Sequence, residues 1–124
     1  MQKKIFLILI TLLIIIMLFL YISIDHKGKL LKVIENSPTI NSQGDKLINR
    51  KEGYEVVYLP QFNQFIISIT GKPFLEIKQR AEKEFVDLIG VDNKIACTLN
   101  VTIGTPYFAN PKYAGKEYKL SFCK

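Results

Sequence analysis

PFLEIKQRAEKEFVDLIGV, residues 73–91, is the segment from which the architecture of the soluble part can be read. Phe74, Ile77, Ala81, Phe85 and Leu88 recur at spacings of three and four, the pattern of one face of an α-helix. Pro73 suits the first helical position, where its missing N–H costs nothing. Glu76 and Arg80 stand i,i+4 with the acid first, the more favourable order. Gly90 fits the left-handed position that ends a helix, with Val91 able to fold back on the last turn. The other face carries Glu76, Lys78, Arg80, Glu82, Lys83, Glu84 and Asp87, and charge patterning of this kind reads as a solvated face.

Working outward, the helix is flanked by strands. YEVVYL (54–59) and QFIISIT (64–70) are β-rich runs split by Pro60-Gln61-Phe62-Asn63, which predicts a hairpin. In the second run Phe65, Ile67 and Ile69 share one face. Downstream, Ala96–Ile103 alternates, with Cys97, Leu99, Val101 and Ile103 on one side and Thr98, Asn100 and Thr102 on the other. The remaining stretch is rich in aromatics, Pro and Gly, and should cross the domain as a loop before a short strand near Tyr118–Cys123. The order ββαβ(β) predicts an α+β domain over residues 54–124, with one helix packed on an antiparallel sheet.

Upstream, residues 5–24 read IFLILITLLIIIMLFLYISI, without a charge. Twenty helical residues cover roughly 30 Å, the thickness of the hydrocarbon core of a bilayer. A cleaved signal peptide is the rival reading, but its apolar stretch is shorter and ends in a small-x-small site, which Tyr21-Ile22-Ser23-Ile24-Asp25 does not supply. We therefore read 1–24 as a cytoplasmic tip and a single membrane anchor. Lys3 and Lys4 favour a cytoplasmic N-terminus, while Lys27, Lys29 and Lys32 weaken the contrast. Tyr21 fits an interfacial aromatic belt. Residues 25–53 look like a stalk, with one or two more helical turns and then the turn chemistry of ENSPTINSQGDK (35–46).

Cys97 and Cys123, the only two cysteines, break the tie on orientation, because disulfides persist outside the cytoplasm. A structural Cys97–Cys123 bridge is the preferred reading, and two buried free thiols are the alternative. Such a bridge would contribute roughly 3–4 kcal/mol by loop closure. The expected location is the cell membrane, single-pass, with the C-terminal domain extracytoplasmic.

Several functions find no support. The formal charge of +6 is spread as +2 before the apolar run, +2 over 25–53 and +2 over 54–124, so no basic cluster points to nucleic acid. There is no Cys-x-x-Cys, His-Glu-x-x-His, phosphate loop or nucleophile elbow, so we expect no enzyme, metal or cofactor. His26, the only histidine, reads as a solvated residue at the membrane surface. Asn100-Val101-Thr102 matches a glycosylation sequon but falls inside an expected strand, and chance explains it. The aromatic loop 104–118 is the one interaction candidate: Tyr107, Phe108 and Tyr113 either anchor a partner or lid the end of a small core. The expected function is a non-enzymatic, membrane-tethered module that binds a protein partner in the cell envelope, such as an accessory subunit of an envelope assembly. The alternative is a soluble-ligand or peptidase-inhibitor-like binding domain that uses the same loop.

Three stretches carry a resemblance: Leu88-Ile89-Gly90-Val91, Ala96-Cys97-Thr98-Leu99-Asn100-Val101, and Ala114-Gly115 with Leu120-Ser121-Phe122-Cys123. Together they resemble short membrane-anchored proteins of the Candidate Phyla Radiation (Patescibacteria), over about half the chain. The first departs from that group's Leu-Gly-Ile. The resemblance implies a bacterial, two-cysteine extracytoplasmic domain and no particular activity.

Overall fold

The computed structural model describes residues 1–124, with the side chains of Gln2, Ser23 and His26 outside the description, and with them the reading of His26. The chain begins with α1 (Gln2–Asn36), then forms β1 (Lys46–Lys51), β2 (Tyr54–Leu59), β3 (Gln64–Ile69), α2 (Phe74–Ile89), α3 (Asn93–Ala96) and β4 (Asn100–Gly104). The domain is of the α+β class: a four-stranded sheet in the order β1-β2-β3-β4, with α2 packed on it.

Among the described residues, α1 is the one helix long and apolar enough to cross a membrane. Its large apolar side chains between Ile5 and Ile24 are 43–75% exposed, so nothing in the fold covers them. The helix does not stop there. Leu30 and Ile34 pack against the domain core, and a Cβ built on Gly90 would lie 3.2 Å from Lys29 Cδ.

The stalk expected over 25–53 is thus revised. Residues 25–36 extend α1, and β1 occupies Lys46–Lys51. Between them the Asn41 carboxamide oxygen accepts from the N–H groups of Gln43 and Asp45, both at 3.1 Å, which turns the chain into β1. Glu52-Gly53 then makes a two-residue hairpin turn, with Gly53 at φ 88°. A bulge interrupts the β1 ladder at Ile48, whose side chain packs against the core.

β2/β3 is antiparallel, as expected, with the Pro60–Phe62 turn closing that hairpin, and the unexpected strand β1 pairs antiparallel with β2. β4 pairs with β3 in parallel, which departs from an all-antiparallel sheet. The reason is directional. Helix α2 carries the chain back to the end where β3 began, so the next strand beside β3 must run the same way. The third expected strand is also shorter. The Asp92 carboxylate accepts from the Ile95 N–H at 2.8 Å and nucleates α3, so Cys97 caps a helix and the strand starts at Asn100. The last expected strand is reduced to a bridge in which Tyr118 and Ile103 exchange both backbone bonds at 2.8 Å.

The core lies between one sheet face and α2. Across the sheet Val56, Ile67 and Ile103 sit in register and are fully buried. From the helix come Phe74, Ile77, Ala81, Phe85 and Ile89. Leu88, expected in this stripe, is 39% exposed, and Ile89 takes the position. Gly90 ends α2 at φ 67° and Val91 folds back into the core.

Candidate functional site

The loop after β4 is braced from below. Thr105 Oγ1 donates to the Ile69 carbonyl at 2.6 Å. Asn110 Nδ2 donates to the Gly71 carbonyl at 3.1 Å and to Thr105 Oγ1 at 3.0 Å. The N–H groups of Ala109 and Asn110 both reach back to the Pro106 carbonyl, at 3.1 and 3.2 Å. Thr105, Ala109 and Asn110 are buried, so residues 106–109 form a closed turn standing on a satisfied polar base.

At its tip Tyr107 is 76% and Phe108 is 83% exposed. Tyr113 behaves differently. Its ring stacks on Phe74 with centroids 4.4 Å apart, and its carbonyl accepts from the Tyr118 hydroxyl at 3.1 Å. The three aromatics expected to act together are therefore divided: Tyr113 lids the core, and Tyr107 and Phe108 face solvent. The turn is tied through Asn110 to Gly71, just before α2, whereas α1 meets the domain at Gly90, just after it. These points are separated by the length of α2, about 24 Å.

The C-terminal segment holds a second polar arrangement. Lys78 and Glu82, read from sequence as solvent-facing, are 6% and 4% exposed and form an ion pair. Lys78 Nζ also donates to Ser121 Oγ at 2.6 Å, while Ser121 N and Oγ both donate to Glu82 Oε1, at 2.9 and 3.0 Å. The network clamps the chain end onto α2, and each donor has an acceptor within it. The sequence carries the signal: Lys78 lies four residues after Phe74, and Glu82 three before Phe85, so both fall inside the buried stripe. Glu84 is half-buried and accepts a hydrogen bond from the Tyr54 hydroxyl. Asp87 stays exposed. Burial, then that bond and the Glu84 charge, push the Tyr54 phenol well above its ordinary range, against a smaller opposing effect from Arg80.

Cys97 and Cys123 lie at disulfide distance, their sulfurs 1.96 Å apart and their Cα atoms 5.5 Å apart. Beside them a cavity of about 290 Å³ opens between β4 and the chain end.

Comparison with known protein families, with curated proteins and with solved structures returns no match to this chain.

Proposed function

We propose that this chain is a single-pass membrane protein whose domain stands on the outer side of the membrane and docks a protein of the cell envelope through the Tyr107–Phe108 turn, without catalysis. The observation that carries this reading is the pair of adjacent exposed aromatics on a braced turn, at the end of α2 opposite to where the anchor helix arrives. Burying such a side chain at an interface contributes on the order of 1.5–3 kcal/mol, and a turn already held in place avoids the cost of ordering it.

The anchor supports the same reading. From Ile24 to Lys29 the helix rises about 7.5 Å, comparable to the headgroup layer on one side of a bilayer. The domain then meets the helix directly, without a flexible spacer, and the turn is presented at a fixed distance from the point of attachment. Lys3 and Lys4, together with a cysteine pair at bonding distance, favour the outward placement.

Two measurements test this. With a photoreactive phenylalanine analogue at position 108 of the full chain in its native membrane, we expect a discrete adduct that Tyr107→Ser removes. The same analogue at Phe62, which is 66% exposed on the β2–β3 turn, serves as the comparison. Equal adducts at both positions, or none at 108, refute the docking role. A membrane-impermeant maleimide should label Cys97 and Cys123 from outside only after reduction. Labelling without reductant, and only once the membrane is broken, refutes the outward placement.

A further inference from the structure

After its single rung with Ile103, the chain end leaves the edge of β4. Leu120 turns into the core, Ser121 is clamped on Glu82, and Cys123 reaches back to Cys97. The arc leaves the cavity of about 290 Å³ between itself and the strand edge. Its walls are Leu99, Val101, Leu120 and the two bonded cysteines, and its charged lining is Lys119 and Lys124, with no Asp or Glu side chain. Lys119 has no carboxylate partner among the described residues. Along a strand the N–H and C=O of alternate residues point to the same edge. Ile103 uses both of its groups on Tyr118, so those of Val101, two residues earlier, turn to the same edge and hence toward the cavity.

Apolar walls, one uncommitted ammonium and a strand edge with an available donor and acceptor together define a ligand. At about 290 Å³ the cavity lies at the lower end of the range of small-ligand pockets, a size that suits a single large residue. We propose that this pocket takes the C-terminal residue of an apolar peptide or protein chain. The terminal carboxylate meets Lys119, the last side chain rests on Leu99 and the cysteine pair, and the peptide main chain pairs with Val101 as a short added strand. The site is separate from the Tyr107–Phe108 turn and independent of the docking reading.

The test uses the full chain in lipid nanodiscs and two fluorescein-labelled peptides of sequence Ala-Gly-Ala-Val-Leu, one with a free C-terminal carboxylate and one amidated. Empty nanodiscs are the blank. Fluorescence polarisation should saturate with the acid, and the amide should bind about tenfold more weakly or worse, because it forfeits a charge-assisted contact. Lys119→Glu should weaken the acid by a similar factor. Because the comparison of acid with amide changes only the ligand, a misfolded variant cannot produce it. Equal binding of the two peptides, or no saturation by the acid up to about 1 mM, overturns the proposal. The Tyr107→Ser/Phe108→Ser variant should bind the acid unchanged, and loss of binding there would overturn the assignment to this pocket.

Discussion

Glu82→Ala should remove a large part of the stability of this domain, roughly a quarter or more. At roughly 0.05–0.15 kcal/mol per residue, a domain of about 80 residues, β1 to the chain end, has on the order of 4–12 kcal/mol in total. Glu82 Oε1 accepts from Lys78 Nζ and from both the N–H and the hydroxyl of Ser121. Lys78 is only 6% exposed, so alanine at 82 leaves an ammonium in the core with Ser121 Oγ as its one remaining partner. Breaking a buried pair in this way costs about 3–5 kcal/mol. Removing both charges is a different perturbation. Lys78→Met with Glu82→Leu keeps the volume, and Ser121 is exposed enough for its freed N–H and hydroxyl to take up water, so the double variant should fall within about 2 kcal/mol of the parent. Urea unfolding of the full chain in detergent micelles, followed by near-UV circular dichroism, measures both. The reasoning is refuted if Glu82→Ala costs less than about 1 kcal/mol, or if the double variant is as unstable as the single one.

Four further outcomes are expected. Tyr107→Ser with Phe108→Ser should leave the unfolding midpoint within about 0.5 kcal/mol of the parent, while Tyr113→Ala, which loses its stack on Phe74, should cost about 2 kcal/mol in the same urea titration. Replacing Cys97 and Cys123 with serine opens a loop with a sequence separation of 26 and should cost about 3.5 kcal/mol in the chain-entropy model, read by thermal melts with and without reductant. Gly71→Ala should destabilise by about 1–3 kcal/mol, because its Cβ would stand 2.8 Å from Gly53 Cα and 3.1 Å from Ile77 Cγ1; an unchanged melting temperature would count against that packing. Tyr54 should ionise only above the pH at which a free phenol does, read as the alkaline absorbance step that Tyr54→Phe removes. Its raised phenol holds a proton more tightly folded than unfolded, so its stabilisation is complete below about pH 10, the unfolded value, and declines as pH rises beyond it. Tyr54→Phe should flatten that decline.

What could be read from the chain follows from where the signal lies. The α2 stripe was legible from spacing alone, as was the β2–β3 hairpin with its Pro/Asn turn. Leu88 and Ile89 were exchanged because both are apolar neighbours at the end of a stripe, and only the packing against the sheet chooses between them. The parallel pairing of β4 is implicit in the β-α-β order, in which α2 is a crossover as well as a cover. β1 was hidden because KLINRK has little hydrophobic alternation: it is an edge strand interrupted by a bulge at Ile48. The aromatic loop was found as a candidate, but its division into Tyr107 and Phe108 at the tip and Tyr113 under Phe74 needed the Asn110–Gly71 and Thr105–Ile69 bonds, which join residues 36 and more apart in sequence.

By itself, then, the sequence determined what depends on neighbours along the chain: an apolar run long enough to span a bilayer, one amphipathic helix, a hairpin and a pair of cysteines. The tertiary structure alone decided what depends on which surfaces meet. It joined the apolar helix α1 to the domain through Leu30 and Ile34, buried Lys78 and Glu82 by giving them Ser121, and left Tyr107 and Phe108 in water. Local spacing fixes which face of an element is apolar, but a charged residue within that face is buried or exposed according to whether a distant part of the chain supplies its hydrogen-bond partner.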